Sequence, residues 1–496
     1  MNLAQRLSWG LLALSALGLP ARAAAAALPD TPGSNALQAR IARVEQGLST
    51  PVAVKDSPHR RMALAERMAF HQVPAVSIAV IDHGRIAWAR AYGVLDASGG
   101  RPATTTTLFQ SGSISKPVSA IGALRLVDKG RLALDQPANR QLGAWQIPDN
   151  AFTRGQAVTL RMLLNHSAGL TVHGFSGYAA GQKTPTLLQV LDGTAPANSE
   201  PVRVDTVPGT AWRYSGGCYS VVQLLVTEAS RLPFEDYMHD AVLAPLGMTR
   251  STFAQTLPPA WRDAAATAHR GDGSAVPGRW HVHPEAAAGL WTTPTDLARL
   301  VVEVQQAQAG RSDKLLSRAT ASVMLTRVLG EYGLGFFVEQ LGADSSFSHS
   351  GGTEGFRSRL YGYTRSGKGA VVMTNSANGA ALIEEVLTSI ATEYGWPEFA
   401  VVEKAAVAVD AAAYGKLAGN YRLLDQPAHV VAEGGRLYVQ SPLFGARRLE
   451  LFPESETAYF MTAEDMSIHF DVKDGGVASG FSLIRGAATY PGTRQQ

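Results

Sequence analysis

The chain has 496 residues, enough for more than one domain, and carries 44 basic and 41 acidic side chains for a net charge of +3. So near a balance points to neither nucleic acid nor an anionic membrane as partner. The single cysteine, Cys218, excludes an intrachain disulfide.

In chain order, residues 1–27 come first: Arg6, an apolar run from Leu7 to Leu19, then small residues ending Ala21-Arg-Ala23 and Ala25-Ala-Ala27. This reads as a signal peptide cut near Ala23 or Ala27, which places the protein in the periplasm or outside the cell. An uncleaved anchor is the alternative, but the run is short for a membrane span. Cleavage would remove Arg6 and Arg22 and leave 42 basic against 41 acidic residues. No later segment is long and apolar enough to span a bilayer.

Residues 28–400 read as one α+β domain, an antiparallel sheet flanked by helices plus an all-helical region. Ser77-Ile-Ala-Val-Ile-Asp-His-Gly-Arg-Ile-Ala-Trp88 is a hairpin that opens the sheet. Ser113-Ile-Ser-Lys116 follows, at the start of a predicted helix in which Val118, Ile121, Leu124 and Val127 share a face and Pro117 is tolerated in the first turn. Residues three apart lie on one side of a helix, so the Lys116 amine comes within reach of the Ser113 hydroxyl. A serine becomes a good nucleophile when a neighbouring base takes its proton, and an amine does so once held close and partly desolvated. The plainer reading is a helix cap beside a solvated lysine.

Pro208-Gly209-Thr210 reads as a turn leading to Trp212-Arg-Tyr214-Ser-Gly-Gly217 and a helix from about Ser220 to Ser230. A tyrosine on a glycine-rich bend points its phenol into a cleft, where it relays a proton. The alternative is a core tyrosine bonded to backbone. Cys218, just after the bend, reads as a small buried filler. His269, His281 and His283 raise the question of a metal, but no His-x-x-x-His or His-Glu-x-x-His helix accompanies them, and neither metal nor cofactor is expected.

Phe347-Ser-His349-Ser350-Gly351-Gly352 reads as a strand with a polar, glycine-rich edge, followed by strands at Phe356–Tyr363 and Ala370–Asn375 and a closing helix near Ala381–Tyr394. Such an edge offers backbone N–H groups to a developing oxyanion. His349 adds a hydrogen bond or a pH-dependent charge, unless it is simply a solvated loop residue. The alanine-rich 401–413 reads as a linker. Short alternating runs then fill 414–496, from Leu417–Tyr421 to Ser467–Val472, and predict a small antiparallel β-barrel.

The order Ser-x-x-Lys, Tyr-Ser-x, His-Ser-Gly resembles the serine hydrolases of the beta-lactamase and penicillin-binding group, closest to class C beta-lactamases, D-stereospecific peptidases and related esterases. The resemblance spans about 55–395 and includes Thr107-Leu-Phe-Gln-Ser-Gly-Ser113, Leu163-Leu-Asn-His-Ser-Ala-Gly-Leu170 and Ala288-Gly-Leu-Trp-Thr-Thr-Pro-Thr-Asp-Leu-Ala298. The barrel resembles the lipocalin-like domain appended to some members. The likeness implies a beta-lactamase/transpeptidase-like fold and catalytic roles for Ser113, Lys116, Tyr214 and His349: the serine is acylated, lysine and tyrosine share base and acid duty, and the third motif lines the acyl site. It also implies substrate contacts from Ser350, Gly351, Gly352 and Gly216, and an oxyanion hole from the Ser113 and Gly352 N–H groups.

Two departures bear on substrate. The asparagine that beta-lactamases of this type carry in Tyr-x-Asn is replaced by Gly216, and Lys-Thr-Gly is replaced by His349-Ser-Gly, so a substrate-orienting amide and a fixed cation are missing. The expected activity is hydrolysis of D-amino-acid peptides, wall-derived amides or small esters, with class C-type beta-lactam hydrolysis as the alternative and homo-oligomerisation through the barrel as a possibility. An alpha/beta-hydrolase is set aside because no Gly-x-Ser-x-Gly occurs. A non-catalytic sensor of wall fragments is the competing class, and what argues against it is retention of serine, lysine and tyrosine together.

Overall fold

The structure is a computed structural model that describes residues 32–57, 61–444, 448–473, 476–486 and 488–495. The predicted signal peptide lies outside the described residues. A helix, α1 (Pro32–Glu45), opens them.

The central sheet has six antiparallel strands: β1 (Ala75–Asp82), β2 (Arg85–Gly93), β3 (Phe337–Leu341), β4 (Asp344–Thr353), β5 (Phe356–Tyr363) and β6 (Gly369–Thr374). Their spatial order is β2-β1-β6-β5-β4-β3. The predicted hairpin is β1–β2, and β1 is buried along nearly its whole length, which is why it reads as an almost unbroken apolar run. Four long helices follow α1: α2 (Ser115–Asp128), α3 (Gly216–Ser230), α4 (Pro294–Gln308) and α5 (Gly379–Tyr394). Helices α4 and α5 cover opposite faces of the sheet. Val301 of α4 lies over Gly362, whereas Gly379 of α5 packs on Thr374 and Arg357, whose side chains point the other way.

Helices α2 and α3 belong to the helical region, which shares one apolar core with the α4 side of the sheet. Helix α3 begins at Gly216, four residues earlier than predicted, because Ser215 is its N-cap and its Oγ accepts from the Cys218 N–H at 3.2 Å. Glycines at the first two positions obscured that start. Cys218 is buried, and burial pushes its thiol up to about 12, so it is an inert filler.

Eight strands close into a barrel over Gly419–Arg494, each pairing with the next and the last with the first. Its interior is filled by Tyr421, Tyr459, Phe470 and Phe481 in edge-to-face contacts. The barrel runs beyond the last strand named from sequence, Ser467–Val472, with a hairpin of Gly480–Arg485 and Ala488–Arg494 that accommodates Pro491 and Gly492. The stretch read as a linker is not free: Val402–Lys404 pairs in parallel with Val52–Val54, and Lys404 reaches Asp465 of the barrel at 2.8 Å. Alanine-rich composition hid a strand whose partner lies some 350 residues earlier.

Candidate active site

Ser113 sits on a single 3-10 turn, Gly112–Ile114, that runs directly into α2. The turn is held from both sides. Ser111 N–H donates to the Leu290 carbonyl at 2.9 Å, and the Ser111 carbonyl accepts from Ser358 Oγ of β5 at 2.8 Å. Gly112 has φ +54, and a Cβ there would stand 2.6 Å from the Gly352 nitrogen; a Cβ on Gly351 would overlap the Ser111 carbonyl. The glycines thus let the nucleophile turn lie against the edge of β4. The result is that the Ser113 turn and the Ser350-Gly351-Gly352 edge lie side by side, with Ser350 and Gly352 exposed and Ser113 half-buried.

Lys116 is buried, and its Nζ donates to Ser113 Oγ at 3.0 Å and to the Ala287 carbonyl at 2.8 Å. Among the described residues no carboxylate pairs with it. Ala287 belongs to the helical turn Glu285–Ala288, whose Ala286 carbonyl also accepts from Ser119 Oγ. The neighbouring hydroxyl has a different use. Ser115 is fully buried, donates to the Gly112 carbonyl at 2.6 Å and accepts from Leu290 N–H at 3.0 Å. Its role is to brace the turn.

Tyr214 precedes α3, and its ring lies 4.9 Å from Lys116 Nζ. Its ring lies 4.3 Å from that of His166, a residue quoted in the sequence motif without a role, and is tilted by 36° to it. His166 has φ +63, strained for a non-glycine, and its Nδ1 accepts from the Ser215 N–H at 3.2 Å. The proton is therefore on Nε2, which is buried without a partner. Burial, then the nearby charge of Lys116, holds this imidazole well below its usual range, so it stays neutral. Tyr219, Trp212 and Tyr332 complete an aromatic shell around His166 that sequence periodicity did not mark.

His349 corrects one expectation. It is neither a solvated loop residue nor a source of pH-dependent charge near neutrality, because burial and Lys116 push it down to about 3. Its Nδ1 lies 2.6 Å from the Ser350 carbonyl and its Nε2 3.0 Å from the Tyr332 hydroxyl. A neutral ring with its proton on Nδ1 donates to the Ser350 carbonyl, while the Tyr332 hydroxyl beside Nε2 donates to the Gly335 carbonyl at 3.0 Å. The missing family cation is thus replaced by a buried ring that burial and Lys116 hold neutral. A folded-state value below the unfolded 6.5 means that acid drives unfolding: the contribution to stability is complete above about pH 6.5 and is lost as pH falls toward 3, at up to about 1.4 kcal/mol per unit. His349→Gln should flatten that acid limb, as read by urea midpoints between pH 7 and 4. An unchanged pH slope in the variant would contradict the neutral assignment.

Gly216 is buried at the head of α3, beneath the strap 171–175. Two of the three histidines weighed as metal ligands are engaged elsewhere, and the third, His283, is buried with neither ring nitrogen hydrogen-bonded. His269 is held between the Ala97 N–H and the Asn375 carbonyl, and His281 Nδ1 lies on the Ser176 carbonyl. Among the described residues no cluster of three metal-ligating side chains occurs.

An antiparallel sheet, a helical region and a serine–lysine pair in the cleft between them define a serine hydrolase. The chain belongs to the Beta-lactamase family, whose match covers residues 61–391. It is 26% identical over 438 residues to "Penicillin-binding protein 4*" of Bacillus subtilis (strain 168), covering 82% of this chain and 92% of that one. It is 33% identical over 202 residues to "Esterase EstB" of Burkholderia gladioli, covering 40% of this chain and 50% of that one. The D-amino acid amidase of Ochrobactrum anthropi SV3, solved with L-phenylalanine amide, shares the fold at a TM-score of 0.54 and 22% identity, over 67% of this chain and 97% of that one.

Proposed function

We propose that the protein is a secreted or periplasmic hydrolase that forms an acyl-enzyme on Ser113 and acts on small esters and D-aminoacyl amides or peptides in preference to beta-lactams. The observation that carries this reading is the 3.0 Å contact between Lys116 Nζ and the half-exposed Ser113 Oγ, with no carboxylate beside the amine. In this scheme Lys116, once its ammonium has given up a proton, takes the hydroxyl proton as Oγ bonds to the substrate carbonyl carbon. Charge collects on the carbonyl oxygen, which the N–H groups of Ser113 and Gly352 receive. The carbon–oxygen or carbon–nitrogen bond then breaks, and the leaving group takes a proton relayed from Lys116 through Tyr214. Water, activated in the same way, releases the acyl group and restores Ser113.

The ester and amide preference is supported by Gly216, which brings no side-chain amide to the cleft, and by the neutral His349, which brings no cation. The esterase and amidase among its relatives agree with it. Secretion rests on the residues 1–27 pattern, and no described helix is long and apolar enough to cross a membrane. The test is kcat/KM on p-nitrophenyl acetate, a D-alanyl anilide and nitrocefin. The first or second should exceed the third by about tenfold, the worth of one missing hydrogen bond. Nitrocefin as the best of the three would overturn the preference.

A further inference from the structure

The bend after Tyr214 is covered by a strap, residues 171–175, bonded along its length. Ser215 Oγ donates to the Thr171 carbonyl at 2.7 Å, Gly217 N–H to the Val172 carbonyl at 3.1 Å and Gly216 N–H to the His173 carbonyl at 3.0 Å. Val172 sits at φ +64, a conformation that a β-branched residue adopts only when its surroundings impose it. The path of the strap is therefore tightly determined, and it ends by laying the Phe175 ring on Gly216. A Cβ at position 216 would meet Phe175 Cε2 at 2.9 Å and Cδ2 at 3.2 Å. Gly216 is not among the residues with positive φ, so the backbone does not demand glycine there. The ring does.

We propose that Phe175 is the specificity-determining residue of this cleft: its ring takes the volume of the side chain that Gly216 lacks and turns a polar contact point beside Tyr214 into an apolar wall for the substrate's acyl chain. The proposal rests on the hydrolase reading above and deepens it. Phe175 is partly buried against the core, with one edge of its ring on Gly216, two residues after Tyr214. Half-exposed Trp212, two residues before Tyr214, has its ring 6.4 Å from that of Tyr214. Acyl groups with a few methylenes would bury apolar area on such a wall. Substrates oriented by a side-chain amide would find no partner and no room.

The experiment is a four-protein cycle in the full chain: wild type, Gly216→Asn, Phe175→Ala and the double variant, with Phe175→Leu as a filled control. Each is assayed on p-nitrophenyl acetate, p-nitrophenyl butyrate and nitrocefin, with its melting temperature recorded. Gly216→Asn alone should lose roughly tenfold or more on every substrate, because the new side chain must displace the ring and with it the strap that holds Tyr214. In Phe175→Ala the butyrate-to-acetate ratio should fall roughly tenfold, the worth of about two methylenes; Phe175→Leu should keep most of that ratio. Adding Phe175→Ala to Gly216→Asn should recover acetate activity and raise the nitrocefin-to-acetate ratio above that of wild type. Multiplicative single effects in an active, folded double variant, or an unchanged chain-length ratio in Phe175→Ala, would overturn the proposal. If Phe175→Ala does not fold, Phe175→Val takes its place: its butyrate-to-acetate ratio should fall below that of Phe175→Leu, and an unchanged ratio would overturn the proposal. A wild type inactive on all three substrates would instead overturn the hydrolase reading itself.

Discussion

Ser113→Ala is expected to lower kcat/KM by roughly 10⁴-fold or more while leaving the fold intact, because it removes the oxygen proposed to carry the acyl group. The hydroxyl is half-exposed and its one bond is to Lys116, so little packing is lost with it. Ser115→Ala should behave in the opposite way. Its Oγ joins the Gly112 carbonyl to the Leu290 N–H inside the protein, and its removal leaves the Leu290 N–H unpaired at a cost of about 1–3 kcal/mol, while the Gly112 carbonyl keeps the Ser115 backbone N–H. The folded fraction of that variant should still react. A fluorophosphonate probe that labels wild type and Ser115→Ala, but not Ser113→Ala, would establish the assignment and also exclude a non-catalytic sensor. Equal loss of labelling in two folded variants would place the nucleophile elsewhere.

Lys116→Arg is expected to lower the acylation rate by roughly 10³-fold, in line with the loss of a general base. A guanidinium keeps its proton throughout the accessible pH range and therefore cannot receive one from Ser113. It is also larger than the ammonium it replaces, in a buried position already committed to Ser113 Oγ and the Ala287 carbonyl. The two effects act together, and Lys116→Met separates them, since it keeps the stem without charge or base. Burst amplitudes under single-turnover conditions report acylation directly. Substantial acylation by folded Lys116→Arg would show that another group takes the serine proton.

Much of the site was legible because its chemistry depends on short spacings. Ser113 and Lys116 are one helical turn apart, and any chain that forms that helix brings them into register. His349-Ser-Gly-Gly352 is likewise local: alternation and glycine content place it on a strand edge whatever the strand pairs with. Other features had no local signal. His166 reaches Tyr214 across nearly fifty residues, and its neutral state follows from burial that no sequence window reports. Phe175 looks like an ordinary loop aromatic until the strap folds over the bend.

The sequence by itself therefore determined the α+β class, the separate run of barrel strands and the order of the three motifs, because helical and strand periodicities and i, i+3 spacings are properties of neighbouring residues. Only the tertiary structure decided how those motifs are tuned. It buried His349 and placed it beside Tyr332, tied Val402–Lys404 to Val52–Val54, and set Phe175 on Gly216. Each of these is a contact between segments distant in sequence. Desolvation, excluded volume and hydrogen-bond partners depend on what the fold brings near, and that information is spread over the whole chain.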